Sequence, residues 1–145
     1  MRLVIQRVKE AKVSVKEKDN VVGKIKKGLF ILIGVTEGDS KEDAEKLAEK
    51  VSKLRIMADK EGKMNLSIKD VDGEILVVSQ FTLYADTRKG NRPSFIKASA
   101  PGLAQDIYEH FVAQLKEKGI KVETGEFGAY MKIDTELDGP VTIIL

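Results

Sequence analysis

The 145-residue chain has no cysteine, no tryptophan, three prolines and a single histidine, His110. The missing cysteines exclude disulfides, thiolate metal sites and cysteine nucleophiles. One histidine cannot furnish the two or three imidazoles on which catalytic zinc sites usually draw, so neither a metal nor another cofactor is expected. No apolar run approaches the roughly 18 residues that mark a membrane-spanning helix. Met1-Arg2-Leu3-Val4-Ile5 alternates and leads straight into structure, without the pattern of a signal peptide. The expectation is a cytoplasmic protein that does not engage membranes. Charge of one sign is lacking too: 25 basic residues stand against 23 acidic ones, so nucleic-acid contact must come from local clustering. Abundant Lys and Glu beside three Asn and four Gln suit a thermophile, which bears on stability and not on function.

The length predicts one domain spanning residues 1–145, able to bury roughly 70% of the surface its unfolded chain exposes. Leu3 to Val15 alternates as a strand, with Val4, Val8, Val13 and Val15 as expected core positions. Lys18-Asp19-Asn20 is turn chemistry, Val21 to Ile25 returns, and Gly28 opens the doubly apolar run Leu29 to Ile33, a central strand. Ser40 with Asp43 forms a capping arrangement before Ala44, Leu47, Ala48, Val51 and Leu54, which predict a helix over about residues 41–57. Asp59 to Lys63 reads as a turn and Glu74 to Gln80 as a buried strand. Pro101 opens a second helix with apolar face Leu103, Ile107, Phe111 and Leu115, closed by Gly119. Three short strands follow: Ile120 to Glu123, Tyr130 to Thr135 and Val141 to Leu145. This order predicts an α+β domain: a mostly antiparallel, barrel-like β-sheet carrying two helices.

Residues 79–95 carry the densest chemistry. The apolar strand ends in Ser79, Gln80, Phe81 and Thr82, and a loop with Arg88, Lys89 and Arg92 against Asp86 follows, then Pro93-Ser94-Phe95. Small polar groups beside a cationic loop suit a phosphate-bearing substrate. A Ser-His-Asp triad is not available, because His110 falls mid-helix among apolar positions and reads as an ordinary helix-face histidine. The polar strand end can instead supply backbone N–H donors around Phe81 and Thr82 for an oxyanion, each worth on the order of 10²- to 10³-fold in rate. Plain alternatives stand beside these readings: edge-strand decoration for Ser79 to Thr82, and a solvated surface for the loop. Gly125 and Gly128 bracket Phe127 in what is either a simple turn or a base-stacking site, with Met131 beside it.

The blocks Lys63-Met64-Asn65, Ser79 to Leu83, Lys89 to Phe95, Thr124-Gly125 with Phe127-Gly128-Ala129, and Gly139-Pro140-Val141-Thr142 together resemble the D-aminoacyl-tRNA deacylases nearly end to end. The resemblance implies hydrolysis of the ester of D-aminoacyl-tRNA, and of mischarged glycyl-tRNA, as proofreading of translation. It implies a catalytic segment at Ser79, Gln80, Phe81 and Thr82, and substrate contacts at Phe127, Met131, Arg88, Lys89, Arg92, Gly139 and Pro140. It also implies a homodimer with active sites at the interface, in which a cis Gly139-Pro140 dipeptide enters the partner's pocket. Two fixed backbone carbonyls there can hold the substrate α-amino group and leave no room for an L side chain. The chain departs from the family at Leu137, where relatives usually carry the Asn of an Asn-x-Gly-Pro-Val-Thr run. Two other functions fit the residues: an editing domain for mischarged L-aminoacyl-tRNA, as in archaeal threonyl-tRNA synthetases, and a non-catalytic tRNA- or nucleotide-binding module.

Overall fold

The computed structural model describes residues 1–15 and 20–145, so Lys18 and Asp19 of the expected turn lie outside the described residues. The order is β1 (Arg2–Val15), β2 (Asn20–Ile25), β3 (Gly28–Gly34), α1 (Lys41–Lys53), β4 (Met57–Ala58), β5 (Met64–Leu66), β6 (Glu74–Ser79), a 3-10 turn (Phe81–Tyr84), α2 (Pro101–Glu117), β7 (Lys121–Thr124) and β8 (Met131–Ile144). The main sheet runs β2-β1-β3-β6-β7, with β8 also paired to β1. The β1 pairings are antiparallel. β3–β6 and β6–β7 are parallel, reached by crossovers through α1 and α2. The α+β, barrel-like expectation is borne out.

Closure comes from β2, which folds back against β6 and β7. A Cβ on Gly23 would lie 2.6 Å from the Thr124 carbonyl oxygen, so only glycine lets these backbones approach. The sheet therefore has two cores. On the helix side Leu3, Ile5, Leu29, Ile31 and Ile33 meet Ala48, Val51, Ile107 and Phe111. On the inner side Val8, Ala11, Val13 and Ile25 meet Phe30, Leu76 and Val78. Each fully buried Val, Leu, Ile or Phe side chain contributes roughly 1.5–3 kcal/mol.

One strand serves both cores by changing phase. Leu3, Ile5 and Arg7 face one side, and Val8, Ala11, Val13 and Val15 the other, with register shifts between Gln6 and Val8 and between Val8 and Glu10. This corrects the expected core: Leu3 and Ile5 are fully buried, whereas Val4 lies on the half-buried face. The Ser40–Asp43 capping box forms as expected, but α1 ends at Lys53 because Leu54 turns extended and delivers the chain to β4. The β4–β5 hairpin has too few residues to show a period and was not anticipated. Leu103, expected on the buried face of α2, is exposed. The two expected final strands are one element, β8.

Candidate active site

The parallel strands β3, β6 and β7 end near one another, and the carboxyl ends of such strands are where open sheets form their clefts. At this end Gln80 donates its backbone N–H to the Ile33 carbonyl at 2.8 Å, and the chain then tightens into the 3-10 turn. The Leu83 N–H is taken by Gln80 O at 3.3 Å and the Ala85 N–H by Thr82 O at 3.0 Å. Phe81 and Thr82 open the turn, so their N–H groups have no acceptor within it. The Gln80 side-chain amide donates to Thr82 Oγ1 at 2.6 Å. That bond occupies an oxygen lone pair and leaves the hydroxyl proton free to be donated.

The Phe81 ring is 55% exposed and meets Phe95 edge-on, with centroids 5.1 Å apart. Phe95 is held there because Asp86 and Ser94 exchange backbone hydrogen bonds of 2.8 and 2.9 Å, pinching off the cationic loop. Within it Arg88 grips the Asp86 carboxylate with Nε and Nη2, at 2.5 to 3.1 Å. The guanidinium holds the Asp86 carboxyl well below the usual carboxylate range. Arg88 is thus paired inside the loop, while Lys89 and Arg92 are exposed and make no ion pair among the described residues. The loop's far end is tied to β3 by Ser99 N–H to Val35 O, 3.1 Å, and by Thr36 Oγ1 to Lys97 O.

Beside this end, Gly125 donates its N–H to Val77 O at 3.2 Å, and the 125–128 loop borders a cavity of about 370 Å³ with α2. Phe127 lines it and packs its ring 5.9 Å from that of Tyr108. Tyr108 is buried, donates its hydroxyl to Val77 O at 3.0 Å, and burial pushes its phenol pKa up. Gln105, Glu109 and Thr124 give the cavity polar walls. Met131 is not among its lining residues; it packs on the other side, against the inner core, where its Sδ would lie 2.6 Å from a Cβ on Gly125. His110 bonds Glu45 on α1 at 2.8 Å and stands apart from the strand end. Among the described residues no group of three or more His, Asp or Glu can hold a metal ion.

Gly139 and Pro140 lie elsewhere. Leu137 pairs with Val8 and Thr142 with Gln6, so residues 138–141 form an excursion opposite Arg7 alone. The Gly139-Pro140 bond is cis, as the resemblance implies. Gly139 has φ +135°, and a Cβ there would lie 2.7 Å from Val141 N. The excursion is fastened by Arg7, only 8% exposed. Its Nε donates to the Asp138 carbonyl at 3.1 Å and lies 3.0 Å from the Asp138 carboxylate, while Nη1 donates to Ile56 O at 2.9 Å. Leu137 is exposed, and the Arg7–Asp138 pair secures the base of the tip. Sequence reasoning missed Arg7. Its signal was an arginine in phase with Leu3 and Ile5 on a buried face, where a charge requires partners.

The two signature blocks do not meet. Arg7 is level with Leu29 and hence with Ile75, whereas Phe81 and Thr82 lie beyond Ser79. Four residues of strand rise and three strand spacings separate them by on the order of 20 Å.

The architecture is an α+β, barrel-like fold with two separated signature blocks, and comparison with known proteins assigns it. A family model described as D-Tyr-tRNA(Tyr) deacylase matches residues 4–145. The D-aminoacyl-tRNA deacylase of Thermotoga petrophila is 59% identical over 145 residues, covering 100% of this chain and 96% of the relative. That of Thermosipho africanus is 56% identical with the same coverage. A solved structure described as c-Myc DNA Unwinding Element Binding Protein superposes with TM-score 0.91 at 37% identity, over 100% of this chain and 97% of that one. Another, described as "Structural Analysis of a probable eukaryotic D-amino acid tRNA deacylase", gives 0.85 at 18% identity over 99% and 97%, and speaks to fold alone. The chain belongs to the D-Tyr-tRNA(Tyr) deacylase family.

Proposed function

We propose that the chain hydrolyses the ester joining a D-amino acid to tRNA. Water adds to the ester carbonyl and the ribose hydroxyl leaves, giving free D-amino acid and tRNA. The observation that carries the reading is the Gln80–Thr82 hydrogen bond. A nucleophilic Thr82 would need a base to take its proton. Its oxygen instead accepts from an amide, His110 is engaged with Glu45, and Asp86 is engaged with Arg88. Thr82 therefore acts as a donor beside the Phe81 and Thr82 N–H groups, stabilising the oxyanion, a role worth on the order of 10²- to 10³-fold per donor. An activated ester with a vicinal ribose hydroxyl needs no stronger help. The cavity at Phe127 takes the terminal adenine, its volume falling in the roughly 300–1,000 Å³ range of small-ligand clefts. Lys89 and Arg92 meet backbone phosphates.

The separation of the two blocks supports a homodimer in which each Gly139-Pro140 tip completes the other protomer's site. Leu137 and Ile144, the latter 73% exposed, flank the tip with apolar surface suited to such an interface. Carbonyls of the tip hold the substrate α-amino group and exclude an L side chain. Glycine, lacking one, passes, and glycyl-tRNA is a second substrate. The role is proofreading of translation in the cytoplasm. Matched D- and L-aminoacyl-tRNA assays test this: hydrolysis of the D ester alone is expected. Faster cleavage of the L ester would assign an editing domain of opposite chirality, and no cleavage of either would leave a binding module.

A further inference from the structure

The sheet end that carries the Gly139-Pro140 tip also carries an open groove of about 480 Å³ along the second half of α1, lined by Lys46, Glu49, Lys50, Lys53, Leu54 and Arg55. Four of the six are cations. The single anion, Glu49, is already held at 2.5 Å by both Lys53 and Lys118, so it offers little repulsion to an incoming anion. Lys46, Lys50 and Lys53 recur at helical spacing on one face and span about 10 Å of axis. Arg55 extends the row past the helix end; among the described residues its guanidinium uses Nε, which donates to Asn65 O at 2.6 Å, and leaves both terminal nitrogens to a ligand.

Complementing the helix dipole explains part of this. Cations in the last turn are favoured, which accounts for Lys50 and Lys53, but the effect falls off within one turn. Lys46 is too far from the end, and Arg55 lies beyond the helix. A shallow, elongated row of cations is suited to a repeating anion rather than a small enclosed one.

We propose that this groove seats the phosphodiester backbone of the substrate's helical RNA arm. The inference rests on the functional reading above and extends it to a surface that no signature block covers. Position supports it. Arg55 precedes Ile56, whose carbonyl is bonded by Arg7, and the same guanidinium holds Asp138 next to Gly139. The groove is thus one guanidinium away from the base of the tip. With the tip in the partner's pocket, the groove flanks that pocket, and an RNA whose 3′ end enters there runs past it.

The test compares two D-aminoacyl esters, one on full-length tRNA and one on adenosine alone. In the Lys46→Glu/Lys50→Glu/Arg55→Glu variant, KM for the tRNA ester should rise at least ~10-fold, and its dependence on log salt should flatten by about 1 per cation removed. Hydrolysis of the adenosine ester should keep its wild-type kinetics, which also certifies the fold. Should charge reversal abolish both activities, the Gln variants of the same three positions decide, with a smaller rise for tRNA alone. Unchanged tRNA KM and salt slope, or equal losses on both esters in the Gln variants, overturn the groove and leave the functional reading standing. A wild-type protein inactive on both esters overturns the functional reading, and the groove with it.

Discussion

At the carboxyl end of the central sheet Thr82 is exposed and takes its hydrogen bond from a side chain two residues away; at the opposite end Arg7 is buried and bonds carbonyls 49 and 131 residues distant. The first arrangement is local and open to a ligand. The second ties β1, the start of the β4–β5 hairpin and the Gly139-Pro140 excursion into one unit. A donor that must meet a passing substrate can sit on a short turn. On the proposed reading the tip's backbone carbonyls discriminate chirality, which needs a frame that does not yield, and a bidentate guanidinium supplies one. Substitutions at the two ends should therefore fail differently: kinetics alone at the open end, stability together with kinetics at the fastened end.

The largest expected effect is at the fastened end. Arg7→Ala leaves the Ile56 carbonyl and the Asp138 carboxylate without their partner, at a cost of about 3 kcal/mol. Chemical denaturation should show that loss, and deacylation should fall with it as the tip loses its anchor. Arg7→Lys should rescue only part, since an ammonium cannot span both acceptors in the same geometry. An Arg7→Ala protein of wild-type stability and activity would erase the contrast between the two ends.

Next comes the open end. Thr82→Ala and Gln80→Ala should lower kcat by roughly 10- to 1,000-fold, the range for one oxyanion donor or its support. Both proteins should unfold close to the wild-type denaturant midpoint, because Thr82 is exposed and Gln80 only half-buried. Residual turnover is expected in each. A trapped covalent ester on Thr82 would show that the hydroxyl is a nucleophile after all.

How far these two ends were legible in the sequence follows the same division. Ser79 to Thr82 announced itself because an abrupt change from apolar to polar residues within one strand is a local signal. The β3 strand, the Ser40 cap and the Pro101 helix start were legible for that reason too. What escaped depends on distant pairing. The change of face in β1 at Arg7 and Val8 arises from bulges set by β8, more than 120 positions away in sequence, so alternation counted back from Val8 put Val4 in the core in place of Leu3 and Ile5. Leu54 kept the helical period, yet tertiary demand for β4 ended the helix before it. The residues of the tip carry no distinguishing local signal, and only resemblance singles it out.

A smaller effect separates the charges of the cationic loop. Lys89→Ala and Arg92→Ala should each weaken tRNA binding and flatten its salt dependence by about 1 in log–log slope. Arg88→Ala should do less to binding, because its charge is already spent on Asp86. Filter binding across a salt titration distinguishes them; equal slopes for the three variants would mean that the Asp86 pair opens when RNA arrives.

The smallest effect belongs to Glu49 in the α1 groove. Hydrogen bonds from Lys118 and Lys53 lower its pKa from 4.5 to about 2. A carboxylate depressed in the folded state adds stability that is fully present above its unfolded pKa and is lost as pH falls through the folded one, here between about 4.5 and 2. The group is exposed, so solvent and salt screen the contribution to a small one. Glu49→Gln should lower Tm slightly at neutral pH, and the gap from wild type should close as pH falls through that window. The same substitution frees the charges of Lys53 and Lys118 for an outside anion. If the groove seats RNA, Glu49→Gln should bind tRNA somewhat more tightly at neutral pH while being marginally less stable, an opposition that a purely structural salt-bridge cluster would not produce.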